Sequence, residues 1–533
     1  MFGMRIVTGV VLLAALVTAC SSAPAVPKPA AAARQSASTV AGFRGGRTRC
    51  ADPVIGWDAA GRSRLGEHPR RVATAGYASI DSVPPGGSVG VYVSTPARWF
   101  RVRAFRMGYV DAGTDACQIW ESRWFRGDVQ AAGVVVGATH SPFAPWRRSL
   151  TVVTTDWTPG FYLLRIDGAG QALPGFIPLT VRSPSLAGRT VLIAPDTTWQ
   201  AYNFWGEYSL YRGGRGHTFA DRSRAVPFDR PYARSLGAAD FIRDQLPLVV
   251  LAERLRLPLA YVTDVDLQRD PAAFLTARTI VSVGHDEYYS PTMREALTEA
   301  RDHGVNIAFL GSNDVYRKIR FAATALGADR LEINYKDDTD PIAVPSLVTT
   351  QWDEAPSDDP ESSLTGNAYQ CSTPISYPLV VADPGNWIFA HTGVRDGTRL
   401  PGIVGQEFDG TNTALPLPRP ESILFHSPAT CHGRAIENGR VAWNGRATWQ
   451  DSTYYTTDSG AGVWDAGAFN WTCAIARACR VHIGARASTI VSTMTTTFLL
   501  AAASGPLGRL HPAVDNVRRL YPTAPLGRQR VRW

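Results

Sequence analysis

Between residues 47 and about 183, short runs of apolar and β-branched residues alternate with polar residues and are separated by turns. Such runs are typical of half-buried strands. The segment Pro84–Gly87 is a turn between two of them, and no helical period is visible in this part of the chain. We therefore predict a β-sandwich (immunoglobulin-like) domain over residues 47–185. Its clearest predicted strands are Ser88–Val93, Trp99–Arg106, Leu150–Thr154 and Gly160–Ile166.

From Arg189 onwards, short apolar runs alternate with stretches of helical spacing. This alternation predicts an α/β domain with a parallel, doubly wound sheet, which we place at residues 186–510. A β-rich extension with long loops follows residue 329, and residues 511–533 form a C-terminal tail. The predicted strands are Thr190–Ala194, Pro258–Val262, Arg278–Val283, Val305–Leu310 and Gly462–Ala468, and the predicted helices are Leu246–Leu255, Met293–Arg301 and Ala487–Ala503.

The N-terminus has the pattern of an export signal. A short basic start is followed by the apolar run Ile6–Val17, which is too short to span a membrane. The segment Val17–Cys20 resembles a bacterial lipobox, so we predict a lipoprotein signal peptide over residues 1–19. Cys20 would then carry the lipid, including palmitate, and hold the protein at the extracytoplasmic face of the cell membrane. Residues 20–46, rich in Ala, Pro and Ser, are predicted to be a disordered tether.

Charge alters this picture little. The chain has 54 Lys+Arg against 46 Asp+Glu, a net charge of +8, but only three of the basic residues are lysines. The arginines are dispersed along the whole chain with no dense basic block. We therefore predict no nucleic-acid partner. A homo-oligomer is compatible with the sequence.

The six cysteines after Cys20 are an even number in a chain predicted to be exported, which favours structural disulfides. A zinc site is the alternative, but no paired CxxC or HxxxH spacing supports it. Proximity in the sequence predicts the pairs Cys50–Cys117, Cys371–Cys431 and Cys473–Cys479.

Two common hydrolase mechanisms are disfavoured by what the chain lacks. No cysteine lies between Cys117 and Cys371, the stretch that contains most of the predicted alternating strands and helices, so a cysteine nucleophile at a strand–helix turn there is excluded. The one G-x-S-x-G match, Gly86–Gly90, leads into a strand rather than a helix, unlike a nucleophile elbow. A metal site remains open, because carboxylate, imidazole and phenol groups are all present near the predicted strand ends.

Ligands of open parallel sheets bind beyond the carboxyl ends of the strands. Four loops of the sequence fall there, and all of them are rich in polar, ionisable or aromatic residues. In the third loop, His285, Asp286 and Glu287 lie between a buried strand and a helix that Ser290 is expected to cap, with Pro291 as its first residue. The four loops are Asp196–Asn203, Thr263–Asp266, Gly284–Tyr289 and Gly311–Asp314.

In these loops and beyond them, the sequence resembles the large (β) subunit of N,N-dimethylformamidase and its relatives. The likeness covers about residues 70 to 505 and implies a β-sandwich-like domain joined to an amidotransferase-like α/β domain. The family's small partner subunit is not part of this chain. The motifs that carry the likeness are Thr198–Asn203, Phe228–Tyr232, Thr263–Asp266, Gly284–Ser290, Gly311–Asn313, Phe105–Tyr109 and Gly467–Trp471.

The resemblance implies a mononuclear ferric iron, held by two tyrosines and one glutamate, that activates water to hydrolyse a small C–N amide bond. The implied metal ligands in this chain are Tyr202, Tyr232 and Glu287. Hard anionic oxygen donors of this kind suit a ferric ion. Asp286 stands where we expect proline in relatives. The candidate catalytic residues are His285, Asp286, Asn313, which would orient the carbonyl, and Asp264.

Two alternatives stay open. A non-catalytic lipoprotein of the cell envelope could bind a glycan or peptidoglycan fragment through Trp199, Trp205 and Tyr208, since aromatic rings stack on sugars. A carbohydrate hydrolase could use two carboxylates such as those of Asp264 and Glu287.

Overall fold

The computed structural model describes residues 74–110, 114–336, 338–431 and 445–522. The predicted signal peptide, the lipid-bearing Cys20, the tether and the end of the C-terminal tail lie outside these residues. The predicted α/β-plus-β character is confirmed, because helices and strands mix in several separate sheets.

The part of the chain up to residue 181 consists of strands, as predicted. A three-stranded sheet in the order β1-β3-β9 lies beside a second sheet in the order β2-β11-β10-β4-β5, in which β6 also pairs with β4. Side chains from both sheets, among them Val91 and Leu164, share one buried core. The strands are β1 (Ala75–Ala78), β2 (Ser82–Val83), β3 (Ser88–Ser94), β4 (Trp99–Val110), β5 (Thr114–Glu121), β6 (Phe125–Arg126), β7 (Val134–Val136), β8 (Ser141–Phe143), β9 (Leu150–Val153), β10 (Gly160–Gly168) and β11 (Gly175–Val181).

The following part contains the parallel strands and helices that the sequence predicted. Ser290 caps its helix through a hydrogen bond from the Met293 amide, and Pro291 is the first helical residue, as expected. The elements are β12 (Thr190–Ala194), α1 (Asp196–Tyr202), β13 (Ala225–Pro227), α2 (Leu246–Arg254), β14 (Leu259–Thr263), α3 (Asp264–Arg269), α4 (Pro271–Phe274), β15 (Thr279–Ser282), β16 (Tyr288–Tyr289), α5 (Pro291–Asp302), β17 (Asn306–Phe309), β18 (Arg317–Lys318), β19 (Arg320–Thr324) and β20 (Gly327–Ile333).

The β-rich extension contributes further strands and ends in helices. Its elements are α6 (Ser362–Thr365), β21 (Ala368–Ser372), β22 (Tyr377–Val380), β23 (Arg399–Val404), β24 (Glu407–Gly410), β25 (Glu421–Cys431), β26 (Arg446–Thr456), β27 (Gly462–Asp465), α7 (Trp471–Ile475), α8 (Ala485–Ser504), α9 (Leu507–Leu510) and α10 (Val517–Leu520).

A seven-stranded sheet in the order β14-β12-β15-β17-β27-β26-β25 forms the centre of the fold. Its first five strands are parallel, and β26 and β25 extend it in antiparallel fashion. Ala194 lies opposite Thr263, and Ser282 lies opposite Phe309. The carboxyl ends of β14, β12, β15 and β17 are therefore level with one another, and the loops that follow these strands leave the sheet side by side.

Two of the predicted disulfides are present: Cys371–Cys431, which joins β21 to the end of β25, and Cys473–Cys479. The predicted partner of Cys117, Cys50, lies outside the described residues. Glu253, on α2, joins the first part of the chain to the second, because its carboxylate accepts hydrogen bonds from Arg106 on β4 at 2.8 Å and from Tyr261 at 2.7 Å.

Among the described residues, α8 is long and apolar enough, by length and composition alone, to cross a membrane. Its inward face, which includes Val491, Met494 and Phe498, is fully buried and belongs to the main hydrophobic core. That burial is what a core helix requires.

Candidate functional site

The site lies where the level strand ends bring separate loops together. Helix α1 begins directly after β12 and ends at Tyr202. Glu287 lies in the loop after β15, and its backbone amide donates a 2.8 Å hydrogen bond to the Thr198 hydroxyl on α1. This bond fixes the third loop against the first helix, so Glu287 faces Tyr202.

Two phenols and one carboxylate form the centre of the site. The Tyr202 hydroxyl donates to Glu287 Oε2 at 2.6 Å. The Tyr211 hydroxyl lies 2.9 Å from both oxygens of Glu287 and 2.7 Å from the Tyr202 hydroxyl. The two phenol rings stack with their centroids 4.3 Å apart, which holds the hydroxyl groups side by side. We call these three residues the phenol–carboxylate cluster.

A buried lysine supports the cluster from behind. Lys336 Nζ donates to the Tyr288 hydroxyl at 2.7 Å, and the Tyr288 hydroxyl donates to that of Tyr211 at 2.6 Å. The same ammonium group lies 3.9 Å from the centroid of the Tyr211 ring. The Arg317 guanidinium is 3.8 Å from Glu287 Oε1. These positive groups compensate for anionic charge in a buried region, where charges interact more strongly than in bulk solvent.

A histidine and a second glutamate lie on the open side of the cluster. His285 Nε2 is 3.4 Å from Glu287 Oε2 and 3.5 Å from Glu407 Oε2, and it makes no hydrogen bond to a described residue. His285 Nδ1 lies 2.8 Å from the backbone carbonyl of Ser312, which fixes the ring. Asn313 Nδ2 donates to Glu407 Oε2 at 3.2 Å, while Asn313 Oδ1 is buried without a partner among the described residues.

The charges of this pair differ from those of free side chains. Burial raises the pKa of Glu287, but His285, Lys336 and Arg317 outweigh it and lower that pKa to about 2. Burial lowers the pKa of His285, but Glu407 and Glu287 outweigh it and raise that pKa to about 9. Burial also raises the pKa of Glu407. The His285 imidazole therefore lies between Glu287, whose pKa is lowered, and Glu407, whose pKa is raised. Because its own pKa is about 9, His285 is protonated at neutral pH. Neighbouring groups with pKa values shifted in different directions are suited to act as an acid and a base.

Asp286 and Asp264 form a separate buried pair. Asp286 accepts hydrogen bonds from the hydroxyls of Tyr289 at 2.6 Å and Ser282 at 2.7 Å. Asp264 accepts one from Thr197 at 2.6 Å. Burial, and then the proximity of Asp286, raises the pKa of Asp264 well above its ordinary value. Both side chains support the loops and are not members of the phenol–carboxylate cluster.

Tyr232, the second tyrosine that the resemblance implied, lies elsewhere. Its ring meets Trp199 edge to face at 6.2 Å and lines a narrow cavity together with Asp81 and Asp196. In the structure Tyr211, rather than Tyr232, lies against Tyr202 and Glu287. Trp205, from the proposed sugar-stacking set, packs against Trp146.

A pocket opens onto the cluster from the side of Tyr202 and His285. Three arginines line it, of which Arg234 pairs with Asp240 at 2.8 Å, and Arg243 pairs with Asp244. The complete lining is Thr198, Trp199, Tyr202, Arg234, Asp240, Arg243, Asp244, Gln245, His285, Gln406, Glu407, Phe469 and Arg480.

Among the residues of the site that the sequence prediction omits are Tyr211, Glu407 and Lys336. Tyr211 follows α1 in an irregular segment with no periodicity, and Glu407 is the first residue of β24, more than 100 positions after Glu287. Lys336 carried a sequence signal, because it is one of only three lysines in the chain. The other two residues had no local signal.

The phenol–carboxylate cluster fits a single hard metal ion. Its three oxygen-bearing groups lie 2.6–2.9 Å from one another and come from three chain segments, and the carboxylate is buried while the two phenols are partly buried. Phenolate and carboxylate oxygens are hard donors that suit a ferric ion. Burial and, to a smaller extent, the charge of Glu287 raise the pKa of both Tyr202 and Tyr211. Both phenols are therefore neutral without a cation, and a bound cation would favour their ionised form.

Fold and site together define a mixed α/β protein that carries a buried phenol–carboxylate site at the carboxyl edge of a largely parallel sheet. Residues 101–482 match the family described as N,N-dimethylformamidase beta subunit-like, C-terminal, and the chain belongs to that family. Membership indicates a dimethylformamidase-like hydrolase. No curated protein matches the chain.

Proposed function

We propose that the protein hydrolyses a small C–N amide bond with the help of a mononuclear ferric ion held by Tyr202, Tyr211 and Glu287. The observation that carries this proposal is the set of hydrogen bonds of 2.6–2.9 Å among these three side chains. Tyr211 takes the place that the resemblance had suggested for Tyr232. We also propose that the first part of the fold is immunoglobulin-like and that the second part is amidotransferase-like.

A ferric ion in the cluster would supply Lewis-acid activation of water and of the amide carbonyl. The remaining chemistry belongs to side chains of this chain. Glu407, with its raised pKa, is suited to take a proton from the attacking water. His285, protonated at neutral pH, is suited to give one to the leaving nitrogen. Water adds to the carbonyl carbon, the C–N bond breaks, and a carboxylic acid and an amine leave.

Asn313 positions this pair. Its Nδ2 donates to Glu407 Oε2 at 3.2 Å, and its orphaned Oδ1 faces no described partner. The Ser312 carbonyl next to it holds His285 Nδ1. One loop therefore sets the position of both proton carriers, and small shifts in such a loop reduce the reaction rate.

The lining of the pocket carries both signs of charge, because Arg234, Arg243 and Arg480 line it together with Asp240, Asp244 and Glu407. Arg234 pairs with Asp240, and Arg243 pairs with Asp244. Such a polar lining suits a small polar amide.

Metal analysis of the purified protein is the direct test. We expect about one iron per chain and an absorption band in the visible from phenolate-to-iron charge transfer. Glu287→Gln should abolish both. Glu421→Gln is the matched control, because Glu421 is fully buried with both oxygens unpartnered among the described residues and lies on β25. Iron-free wild-type protein, or a band that survives Glu287→Gln, would overturn the proposal.

We also propose that the protein is lipid-anchored through Cys20 on the extracytoplasmic face of the cell membrane. The lipobox pattern supports this placement, and the two described disulfides are of the kind that persists in oxidising compartments. Mass spectrometry of the N-terminal peptide from membrane fractions tests it. Cys20→Ser should release the protein from the membrane, and an unmodified Cys20 would refute the proposal.

A further inference from the structure

One end of the first part of the fold carries two exposed tryptophans among arginines. Trp99 begins β4, Trp124 directly precedes β6, and each of them is 45% exposed. β6 pairs with β4 so that Arg126 lies opposite Trp99. The Arg101 guanidinium lies over the Trp124 ring, 5.0 Å from its centroid. We call these four residues, together with the exposed Arg98 before β4, the tryptophan–arginine patch.

The packing beneath the patch explains why its side chains share one surface. Phe100 on β4 is part of the buried core, and Phe125 on β6 packs against that core. The two rings meet with their centroids 5.8 Å apart. Because side chains alternate between the two faces of a strand, the residues that flank these rings point away from the core. The patch is therefore held in place by the core below it.

Positive charge exceeds negative charge around the patch. Arg98, Arg123 and Arg126 are exposed and form no ion pair with a described residue. An anionic partner would therefore meet positive charge that no acid of the described chain neutralises. The acidic groups at this end are already paired with arginines: Glu121 with Arg101, Asp128 with Arg147, and Asp167 with Arg103 and Arg165.

A third exposed apolar residue lies in the turn beside the patch. The Ala169 amide, which follows β10, donates a 2.8 Å hydrogen bond to the Trp99 carbonyl. Leu173 belongs to the same turn and is 48% exposed. The apolar surface at this end therefore extends beyond the two tryptophans.

Two kinds of anionic partner match exposed tryptophans beside arginines. At a membrane surface, tryptophan rings lie at the level of the headgroups, and arginines are attracted to anionic lipids. A single-stranded nucleic acid would stack its bases on the rings and place its phosphates on the arginines. The composition of the patch alone does not separate these two, but its position does.

The chain enters the described domain next to the patch. The hydroxyl of Thr74, the first described residue, lies 2.7 Å from that of Thr95. Thr95 belongs to the turn between β3 and β4 that leads directly to Trp99. The predicted tether and the lipid-bearing Cys20 precede Thr74 in the sequence, so they join the domain at the end that carries the patch. This position favours the membrane.

We propose that the tryptophan–arginine patch binds the surface of a bilayer that contains anionic phospholipid. The arginines pair with lipid phosphates, and the tryptophan rings lie among the headgroups. The position argument rests on the proposed lipid anchor, whereas the contact itself belongs to the folded domain. The contact is weak and reversible, so it orients a chain that the lipid holds, and Cys20→Ser protein still leaves the membrane when membranes are washed.

Co-sedimentation of full-length Cys20→Ser protein with vesicles tests the contact without the lipid. Vesicles of phosphatidylglycerol and phosphatidylcholine in equal parts are compared with vesicles of phosphatidylcholine alone. We expect at least about tenfold tighter binding to the anionic vesicles, and weaker binding in high salt. Equal binding to both kinds of vesicle would overturn the proposal. Tighter binding of a single-stranded oligonucleotide than of the anionic vesicles would also overturn it.

A pair of matched double variants assigns the binding to the patch. In the Cys20→Ser background, Trp99→Ala with Arg126→Gln should weaken binding to the anionic vesicles about tenfold or more. Trp449→Ala with Arg399→Gln, which changes an exposed tryptophan and an exposed arginine on β26 and β23, should bind as the parent does. Equal binding of the patch variant and the parent would refute the assignment.

Oxidative footprinting covers the case in which the patch variant does not fold. Hydroxyl radicals should oxidise Trp99 and Trp124 readily in free Cys20→Ser protein and several-fold more slowly once anionic vesicles are added. Trp449, which is 41% exposed, should be oxidised equally in both samples. If Trp99 and Trp124 were unchanged by vesicles, or already protected without them by another part of the chain or a second copy, the proposal would fail.

The anchor and the patch are tested separately. An unmodified Cys20 together with vesicle binding would refute the lipid anchor and leave the patch as a membrane contact. A lipid-modified Cys20 in wild-type protein, together with no vesicle binding by the Cys20→Ser protein, would refute the patch and leave the anchor.

Discussion

The phenol hydroxyl of Tyr211 lies 2.9 Å from each carboxylate oxygen of Glu287, although the two residues are 76 positions apart in the chain. No other contact in the site joins one phenol so evenly to one carboxylate among the described residues. This contact makes Tyr211 a better candidate for a metal ligand than Tyr232. Substitution of each tyrosine in turn distinguishes the two assignments.

The first prediction compares Tyr211→Phe with Tyr232→Phe. Removal of the Tyr211 hydroxyl takes away one of three oxygen donors, so iron occupancy should fall at least about tenfold and the visible band should weaken or shift. Tyr232→Phe should keep both, because that ring packs on Trp199. Iron analysis and absorption spectra of the two variants decide the matter, and the opposite outcome would restore Tyr232 as the ligand.

The second prediction concerns proton transfer by His285. His285→Gln removes the imidazole between Glu287 and Glu407, so kcat should fall about 10²–10⁴-fold while iron content is preserved. The exposed His303, at the end of α5, provides the control, and His303→Gln should leave kcat unchanged. If His285→Gln retained full kcat, His285 would have no part in proton transfer.

The third prediction concerns the junction between the two parts of the chain. Arg106 and Glu253 pair at 2.8 Å with side chains only 11% and 10% exposed. Glu253→Gln leaves a buried guanidinium without its counter-charge, so the free energy of unfolding should fall by about 3 kcal/mol. Tyr261→Phe, which removes only one hydrogen bond to Glu253, should cost about 1 kcal/mol. Urea unfolding measures both.

An exposed ion pair provides the contrast to this junction. Asp128 and Arg147 are 3.5 Å apart with side chains 63% and 89% exposed. Asp128→Asn should change the free energy of unfolding by less than about 0.5 kcal/mol. If Glu253→Gln cost no more than Asp128→Asn, the buried pair would contribute no stability to the junction.

The fourth prediction is a pH dependence caused by Glu361. Burial, and then the charge of Asp353, raises the pKa of Glu361 from 4.5 to about 8. The unfolded chain therefore ionises first, and the wild-type protein loses stability as the pH rises from about 4.5 to 8. Glu361→Gln removes this loss. The difference in the free energy of unfolding between Glu361→Gln and the wild type should therefore shift in favour of the variant by about 2 kcal/mol or more when the pH is raised from about 5 to about 8.

Unfolding in urea at the two pH values checks the effect of Glu361. The exposed neighbour Asp358 provides the control, since Asp358→Asn should leave the pH dependence as it is in the wild type. A wild-type slope that persists in Glu361→Gln would show that other groups cause it.

Local pattern was sufficient to predict the scaffold. The apolar runs at β12, β15 and β17 give strands within two residues of their predicted ends, because each is a short buried run bounded by polar residues. The helix after the third loop begins where Ser290 and Pro291 predicted. The rule that ligands bind at the carboxyl ends of strands then placed Tyr202, Glu287 and Asn313 correctly at one edge.

The rest of the site depends on contacts between distant segments. Tyr211 contacts Glu287 from an irregular segment, and Glu407 reaches His285 from the β-rich extension. Neither residue lies in a segment whose hydrophobic periodicity predicts which way its side chain points. Asp264 and Asp286 were predicted as catalytic because they stand in the right loops, but adjacent hydroxyls bind them. Sequence position identifies the loop, whereas packing decides which side chains of that loop face the pocket.

The Cys371–Cys431 bond has a consequence for when the site is complete. β21 carries Cys371 and pairs with β24, so Cys371 lies opposite Phe408 and Ser372 lies opposite Glu407. The bond closes a 60-residue loop and ties this strand pair to β25. A freshly made, reduced chain lacks that tie, so we expect Glu407 to reach its working position only after thiol oxidation. On the extracytoplasmic placement proposed above, the site would be completed only after the chain has left the reducing cytosol.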